Sequence, residues 1–192
     1  GRGGIARLWL GSVADELIHQ STLPLLLIRP QQDLKAVADL ASIRQILIAL
    51  DGSEIAEQIL VHARIIGELA DAAYTLLHVV EPHTRLFSTP IQIDAEVQGS
   101  QQQSLAQHYL DHKAWPFRAA GAQVQIDVRM ADQVAAAILA AACDHHADLI
   151  AIATHGNRGL SRLLLGSVAD KVVRGTTLPV LLYRPQLEPR IC

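Results

Sequence analysis

The sequence predicts an open α/β sandwich built on a five-stranded parallel sheet. Three observations lead there. Short apolar runs alternate with amphipathic stretches of helical length from about Ser42 to Pro185, the pattern of parallel strands joined by right-handed crossovers. Runs such as Arg44-Gln-Ile-Leu-Ile-Ala-Leu50 are nearly continuously apolar, which marks strands buried on both faces. Residues 1–30 also match residues 156–185 without gaps at 17 of 30 positions, where composition alone gives about two or three.

The elements follow in order. Arg44–Leu50 is the first strand, and Asp51-Gly52-Ser53 turns the chain. Ser53 or Gly52 caps a helix over roughly Glu54–Ala70, whose Ile55, Ile59, Ala63, Ile66 and Ala70 keep helical spacing. Tyr74–Val80 is the second strand; Glu81-Pro82 ends it, and residues 83–94 read as a loop. A polar helix spans about Ala95–Lys113, with Gln101–Gln103 on a solvated face, and Pro116 is expected to end or kink it. Val124–Val128, Leu149–Ala153 and Pro179–Tyr183 are the remaining strands, with helices over Gln133–Asp144 and Ser167–Arg174 between them.

The placement of the repeat sets the expected organisation. The second copy closes the complete strand–helix pattern, whereas the first opens the chain with nothing before it. Residues 1–30 therefore read as the helix-plus-strand remnant of one domain, 31–42 as a linker, 43–186 as a complete domain and 187–192 as a tail. The last strand of each copy, Leu25–Ile28 and Val180–Tyr183, is apolar and expected at a sheet edge, where unpaired backbone seeks a partner. These two strands are predicted to pair, within one chain or between two.

Composition narrows the function. The 192 residues are 50% hydrophobic and carry 16 Lys+Arg against 19 Asp+Glu, enough apolar content for a core and no basic footprint for a nucleic-acid backbone. No apolar run approaches the ~20 residues that span a bilayer. Cys143 and Cys192 make no disulfide framework, and a reducing, cytoplasmic setting is expected.

Ligands of such sheets bind beyond the carboxyl ends of the strands. Three segments fall there: Asp51-Gly52-Ser53, His78-Val79-Val80, and Ala153-Thr154-His155-Gly156. The third leads to Gly166-Ser167 at a helix start, where glycines let backbone N–H groups approach an anion and the helix dipole favours it. Set against this, Ser167-Val168-Ala169-Asp170 also fits a capping box with Asp in place of Glu. Leu165 precedes Gly166, so the Walker G-K-[ST] is absent, as is a G-x-G-x-x-G after the first strand. A kinase or a dehydrogenase is not expected on that ground.

Other side chains are read structurally. His155 is expected to pack or bond to a neighbouring loop and Arg158 and Arg162 to be solvated, each with phosphate contact as the lesser alternative, and His78 to be a satisfied core or strand-end residue. Cys143, His145 and His146 lie close at a helix end but lack a paired metal-ligand motif. Asp132 and Asp148 mark a helix start and a strand entry. No Ser-His-Asp arrangement can be argued from spacing, and no catalytic residue is assigned.

The run ATHGNRGLSRLLLGSVADKVVRGTTLPVLLYRP, with ILIALDGSE and LLHVVEP before it, resembles the universal stress protein family. The similarity covers about Ile43–Pro185 as one domain and Gly1–Pro30 as the end of another. In nucleotide-binding members the signature is G-x2-G-x9-G-[ST]; here Gly156, Gly166 and Ser167 match it, and Ala153 stands in place of the first glycine. The resemblance implies a Rossmann-like, adenine nucleotide alpha hydrolase-like fold that binds ATP with Mg²⁺ and pairs its last strands across a homodimer. It implies that Asp51 approaches the ribose and the phosphate or metal region, that the Val79 backbone meets adenine, and that Ala153, Gly156, Gly166, Ser167 and Val168 form the phosphate and ribose loop. The expected function is an ATP-binding regulatory protein of the stress response with slow or absent hydrolysis. A nucleotide-free dimerisation module of the same fold is the alternative, and a true nucleotide hydrolase is a third reading without an evident base.

Overall fold

The computed structural model describes residues 16–18, 20–28, 42–82, 92–154 and 165–184. The linker at 31–41, most of the expected loop at 83–94, the tail, and the candidates His155, Gly156, Arg158 and Arg162 lie outside the described residues. The strands are β1 (Leu25–Leu27), β2 (Gln45–Leu50), β3 (Ala73–Val80), β4 (Val124–Met130), β5 (Leu149–Ala153) and β6 (Val180–Tyr183). The helices are α1 (Glu54–Glu57), α2 (Ile59–Ala70), α3 (Gln92–Ala119), α4 (Val134–Asp144) and α5 (Ser167–Gly175).

The sheet has six strands, in the order β1-β6-β5-β2-β3-β4. Strands β2 to β6 pair in parallel, while β1 runs antiparallel to β6. The expected five-strand sheet is thus corrected by one strand, supplied by the first copy of the repeat. β6 is consequently interior, and β1 and β4 are the edges. The predicted pairing of the two copies forms within one chain, with Leu25 opposite Leu182, Leu26 opposite Leu181 and Leu27 opposite Val180. Ile18, from the short helical stretch before β1, is buried in the same core as β5 and β6.

Strand alternation divides the core into two layers. On one face Leu47, Ala49, Leu77, Ile150 and Ile152 pack under Ile138, Ala142, Ala169 and Val172 of α4 and α5. On the other, Ile46, Ile48, Leu50, Leu76 and Ala151 pack under Ile59 and Ala63 of α2 and Leu110, Ala114 and Phe117 of α3. Asp148 ties the amino-terminal ends of β2 and β5 together, its Oδ2 accepting from the Arg44 and Gln45 amides at 2.8 and 3.0 Å.

Two helix expectations need correction. The helix read as continuous over Glu54–Ala70 divides at Gln58, whose N–H turns to Ile55 O at 3.4 Å, a tighter i−3 bond that separates α1 from α2. The polar helix begins at Gln92 and passes through Pro116 to Ala119. Pro116 lies in the last turn, so its missing N–H removes one bond there, while buried Ala114 and Phe117 on either side hold the turn against β3 and β4. No described helix is long and apolar enough to cross a membrane.

Candidate functional site

From β2 the chain steps outward to β3 and β4, then crosses back to place β5 on the other side of β2. The carboxyl ends of β2 and β5 therefore flank the switch point at which open α/β sheets take ligands. Asp51 follows β2 directly and Ala153 ends β5; Ala49 lies opposite Ile152, so the two ends are level.

The Asp51 turn is tightly built. Asp51 Oδ1 accepts from Ser53 N at 3.0 Å and from Ser53 Oγ at 2.6 Å. Ser53 Oγ in turn accepts from Ala56 N at 3.1 Å and caps α1, satisfying a first-turn amide. Gly52 sits at φ +83°, a left-handed conformation natural to glycine. Of the two cap candidates, Ser53 takes the role and Gly52 makes the turn.

The second half of the site comes from α5. Gly166 is its N-cap, and Gly166 N donates to Thr154 O at 2.8 Å. Thr154 N donates to Tyr183 O at 2.9 Å. The start of α5 is thereby pinned to the end of β5, however residues 155–164 run between them. No side chain caps this helix, which leaves the amides of its first turn to solvent or an anion. The capping-box alternative is not formed: Ser167 is the first helical residue and exposed, and Asp170 accepts from Arg174 Nε at 2.7 Å instead.

Val79 and Val168 pack on the same face of the sheet, the one covered by α4 and α5. Ala153 belongs to the opposite face, by alternation from Ile150 and Ile152 on the first and Ala151 on the second. It lies in extended backbone at the end of β5; among the described residues the non-glycine positions with positive φ are Asp71 and His146. The methyl group that departs from the family signature is therefore compatible with the local backbone and directed away from Val79 and Val168. In this respect the residues present fit an anionic ligand.

Sequence reasoning did not single out a second cluster, packed against the Asp51 turn from α3. His78 Nδ1 donates to Leu50 O at 3.0 Å; a carbonyl only accepts, which fixes that tautomer. Burial holds the His78 imidazole below its ordinary range, outweighing the Leu50 bond and the charge of Asp51. The His78 ring meets Tyr109 edge-on, with centroids 5.8 Å apart. Lys113 Nζ binds Glu57 Oε2 at 2.6 Å and stands 5.8 Å from the Tyr109 ring centre. These residues come from α1, β3 and α3, far apart in sequence. The one available signal was Tyr109 and Lys113 four residues apart beside the apolar stripe Ala106, Leu110, Ala114 and Phe117.

The trio at the end of α4 does not converge. His145 Nε2 hydrogen-bonds to Asp127 Oδ2 at 2.9 Å, Cys143 is an exposed free thiol, and His146 is in left-handed backbone. Arg129 joins Asp127 at 2.8 Å and Asp144 at 2.9 Å, locking edge strand β4 to α4. Among the described residues no group of three or more His, Cys, Asp or Glu side chains could hold a metal ion.

With this architecture in view, the universal stress protein family matches residues 42–184. The chain belongs to that family. A universal stress protein of Mycobacterium tuberculosis is 29% identical over 190 residues, covering 96% of this chain and 59% of the relative. This universal stress protein chain thus spans about three-fifths of the length of that mycobacterial relative. Among solved structures, UspA from Lactobacillus plantarum matches with a TM-score of 0.65 at 20% identity, over 74% of this chain and 98% of that one. A universal stress protein crystallised in complex with cAMP matches with a TM-score of 0.51 at 21% identity, over 75% of this chain and 98% of that one. Both similarities concern the fold, an α/β arrangement of the adenine nucleotide alpha hydrolase-like type.

Proposed function

We propose that this chain is an adenine-nucleotide-binding regulatory domain of the stress response, taking ATP with Mg²⁺ at the switch point between β2 and β5. The observation that carries the reading is the bond from Gly166 N to Thr154 O, which holds an uncapped helix N-terminus beside the carboxyl end of β5. Ser167 and Val168 would offer backbone amides and the Ser167 hydroxyl to the phosphates, with Gly166 keeping their approach open, together with Ala153 and Gly156. Asp51 would approach the ribose and the metal bound to the phosphates, and the Val79 backbone would meet the base. The metal would supply charge neutralisation of the polyphosphate. No side chain at the site is assigned as a base, so hydrolysis is expected to be slow or absent. The cAMP complex of a relative with this fold supports an adenine nucleotide as ligand class.

A second reading, a nucleotide-free interaction module, is favoured by the pairing of β1 with β6. That pairing supports taking residues 1–30 as the close of a preceding domain of the same type, and β6 as the strand on which the two tandem copies meet.

Thermal unfolding with and without saturating Mg-ATP, and separately with cAMP, tests the first reading against the second. A ligand at about 100 times its Kd stabilises by roughly 2.7 kcal/mol, several degrees in a domain of this size. Gly166→Val is the control. The glycine sits at φ −54° and ψ 144°, a conformation open to any residue, so the variant should fold while its side chain fills the phosphate space. A shift lost in the variant supports nucleotide binding; no shift in folded wild-type protein favours the interaction module.

A further inference from the structure

The Tyr109 hydroxyl is buried and makes no hydrogen bond, although polar groups surround it. Leaving such a group unpaired is costly, and each instance in a native structure calls for an explanation such as a functional role or a bound water or ion. The phenol lies near the Glu57 carboxylate and the Gly52 amide, and its hydroxyl meets hydrogen-bond geometry with neither. Glu57 is already held by Lys113 at 2.6 Å. Tyr109 itself cannot travel far: its neighbour Leu110 is fully buried, Ala106 is buried one turn earlier, and the ring is held edge-on by His78.

The turn, by contrast, lies at the surface, with Gly52 between its bonded residues Asp51 and Ser53. Asp51 and Gly52 are exposed, and Gly52 has the backbone latitude of a glycine at φ +83°. A Cβ on Gly52 would stand 3.7 Å from His78 Cε1, so the turn already rests against the imidazole that leads to Tyr109. A small inward displacement of Gly52 would let its N–H donate to the Tyr109 oxygen while the phenol O–H donates to Glu57.

We propose that Tyr109 is a positioning residue: its hydroxyl is the anchor onto which the Asp51-Gly52-Ser53 turn closes when Asp51 engages a metal-bound nucleoside triphosphate. The inference rests on the nucleotide reading above and adds to it a physical link from the site to α3. Without ligand the Asp51–Ser53 bonds hold the turn where it is; engagement of Asp51 by the ligand shifts that balance, and the hydroxyl then gains the partner it lacks. The nucleotide-free protein carries the unpaired hydroxyl and the loaded protein does not.

The test is Tyr109→Phe, which keeps the ring and removes only the hydroxyl. Three readouts are needed: unfolding without ligand, Mg-ATP affinity by titration calorimetry, and amide exchange at Gly52. Without ligand the variant should melt at the wild-type temperature or slightly above it, because an unsatisfied group has been deleted. Its affinity for Mg-ATP should fall roughly three- to tenfold, the worth of one net hydrogen bond. Amide exchange at Gly52 should slow on Mg-ATP addition in the wild type and stay unchanged in the variant. A lower melting temperature without ligand would mean that the hydroxyl is already bonded and structural, which overturns the proposal. Equal Mg-ATP affinity in both proteins overturns it as well, leaving the nucleotide reading intact. A wild-type protein that binds no Mg-ATP overturns both.

Discussion

Leu26 on β1 lies directly opposite Leu181 on β6, and Leu181 is the residue that occupies the same place in the second copy of the repeat. Leu25 and Leu27 meet Leu182 and Val180, the counterparts of one another's positions. The two copies therefore pair about a local two-fold centred on Leu26 and Leu181, with the self-complementarity of a symmetric interface inside one chain.

That pairing is short, three residues a side, and depends on apolar packing. Leu26 packs against the core layer of α2 and α3, while Leu25 and Leu27 pack against the layer of α4 and α5. Leu26→Asp should detach β1 by placing a charge in that contact. Amides of β6 should then exchange faster, and light scattering should show concentration-dependent association through the uncovered edge. Unchanged exchange in β6 would mean that β1 contributes nothing to the edge.

Gly67 of α2 packs so closely on Tyr74 that a Cβ would overlap the phenol hydroxyl and the ring edge that carries it. Ala is better than Gly in a helix by roughly 0.8–1 kcal/mol. Displacing a fully buried ring from a well-packed core costs about 1–3 kcal/mol, and Tyr74 would also lose the bond it donates to Arg64 O at 3.3 Å. The steric loss should win, and Gly67→Ala should unfold at lower denaturant. A more stable variant would show that the Tyr74 layer can shift freely.

How much of this was legible in the sequence follows from periodicity. Continuous apolar runs locate every parallel strand to within two residues at each end, and the repeat marks β1 and its partner. Helix interruptions were not legible: Gln58 breaks the ladder between α1 and α2 with no glycine or proline to mark it, and Pro116 stays inside α3 because buried Ala114 and Phe117 outweigh one lost bond. Of the candidate site, chain order alone placed Asp51, Val79, Ala153 and Gly166 at strand and helix ends. Tyr109, Glu57 and Lys113 were not legible, because their meeting depends on how α3 crosses the face of β3, which no local pattern encodes.

His78 predicts an acid-side loss of stability. Its folded-state imidazole is held below the unfolded value of about 6.5, so folding favours the neutral ring. That contribution is fully present above the unfolded value and is lost as pH falls from there through the lowered folded value. Melting temperatures from pH 7.5 down to 5.5 should fall less steeply in His78→Gln, whose amide can still donate to Leu50 O. His62, also lowered by burial, should retain part of the slope. Equal slopes in both proteins would exclude His78 as a source.

Asp127 accepts from both Arg129 and His145, at 2.8 and 2.9 Å, and is mostly buried. Asp127→Asn keeps the shape and removes the charge, leaving Arg129 with Asp144 alone. The expected loss is about 1–3 kcal/mol, the range for a bond to a charged group, read from urea unfolding. A variant as stable as wild type would show that Asp144 suffices to hold edge strand β4.

The clamp of Asp148 on the Arg44 and Gln45 amides joins residues more than a hundred positions apart, and the pairing of β2 with β5 spans the same interval. Such distant contacts form slowly, because loop-closure entropy precedes their reward. During synthesis, β2 must wait without its central neighbour until β5 has left the ribosome. The junction between their carboxyl ends is accordingly among the last features to come into being, and no ligand held there could assist the growing chain before that point.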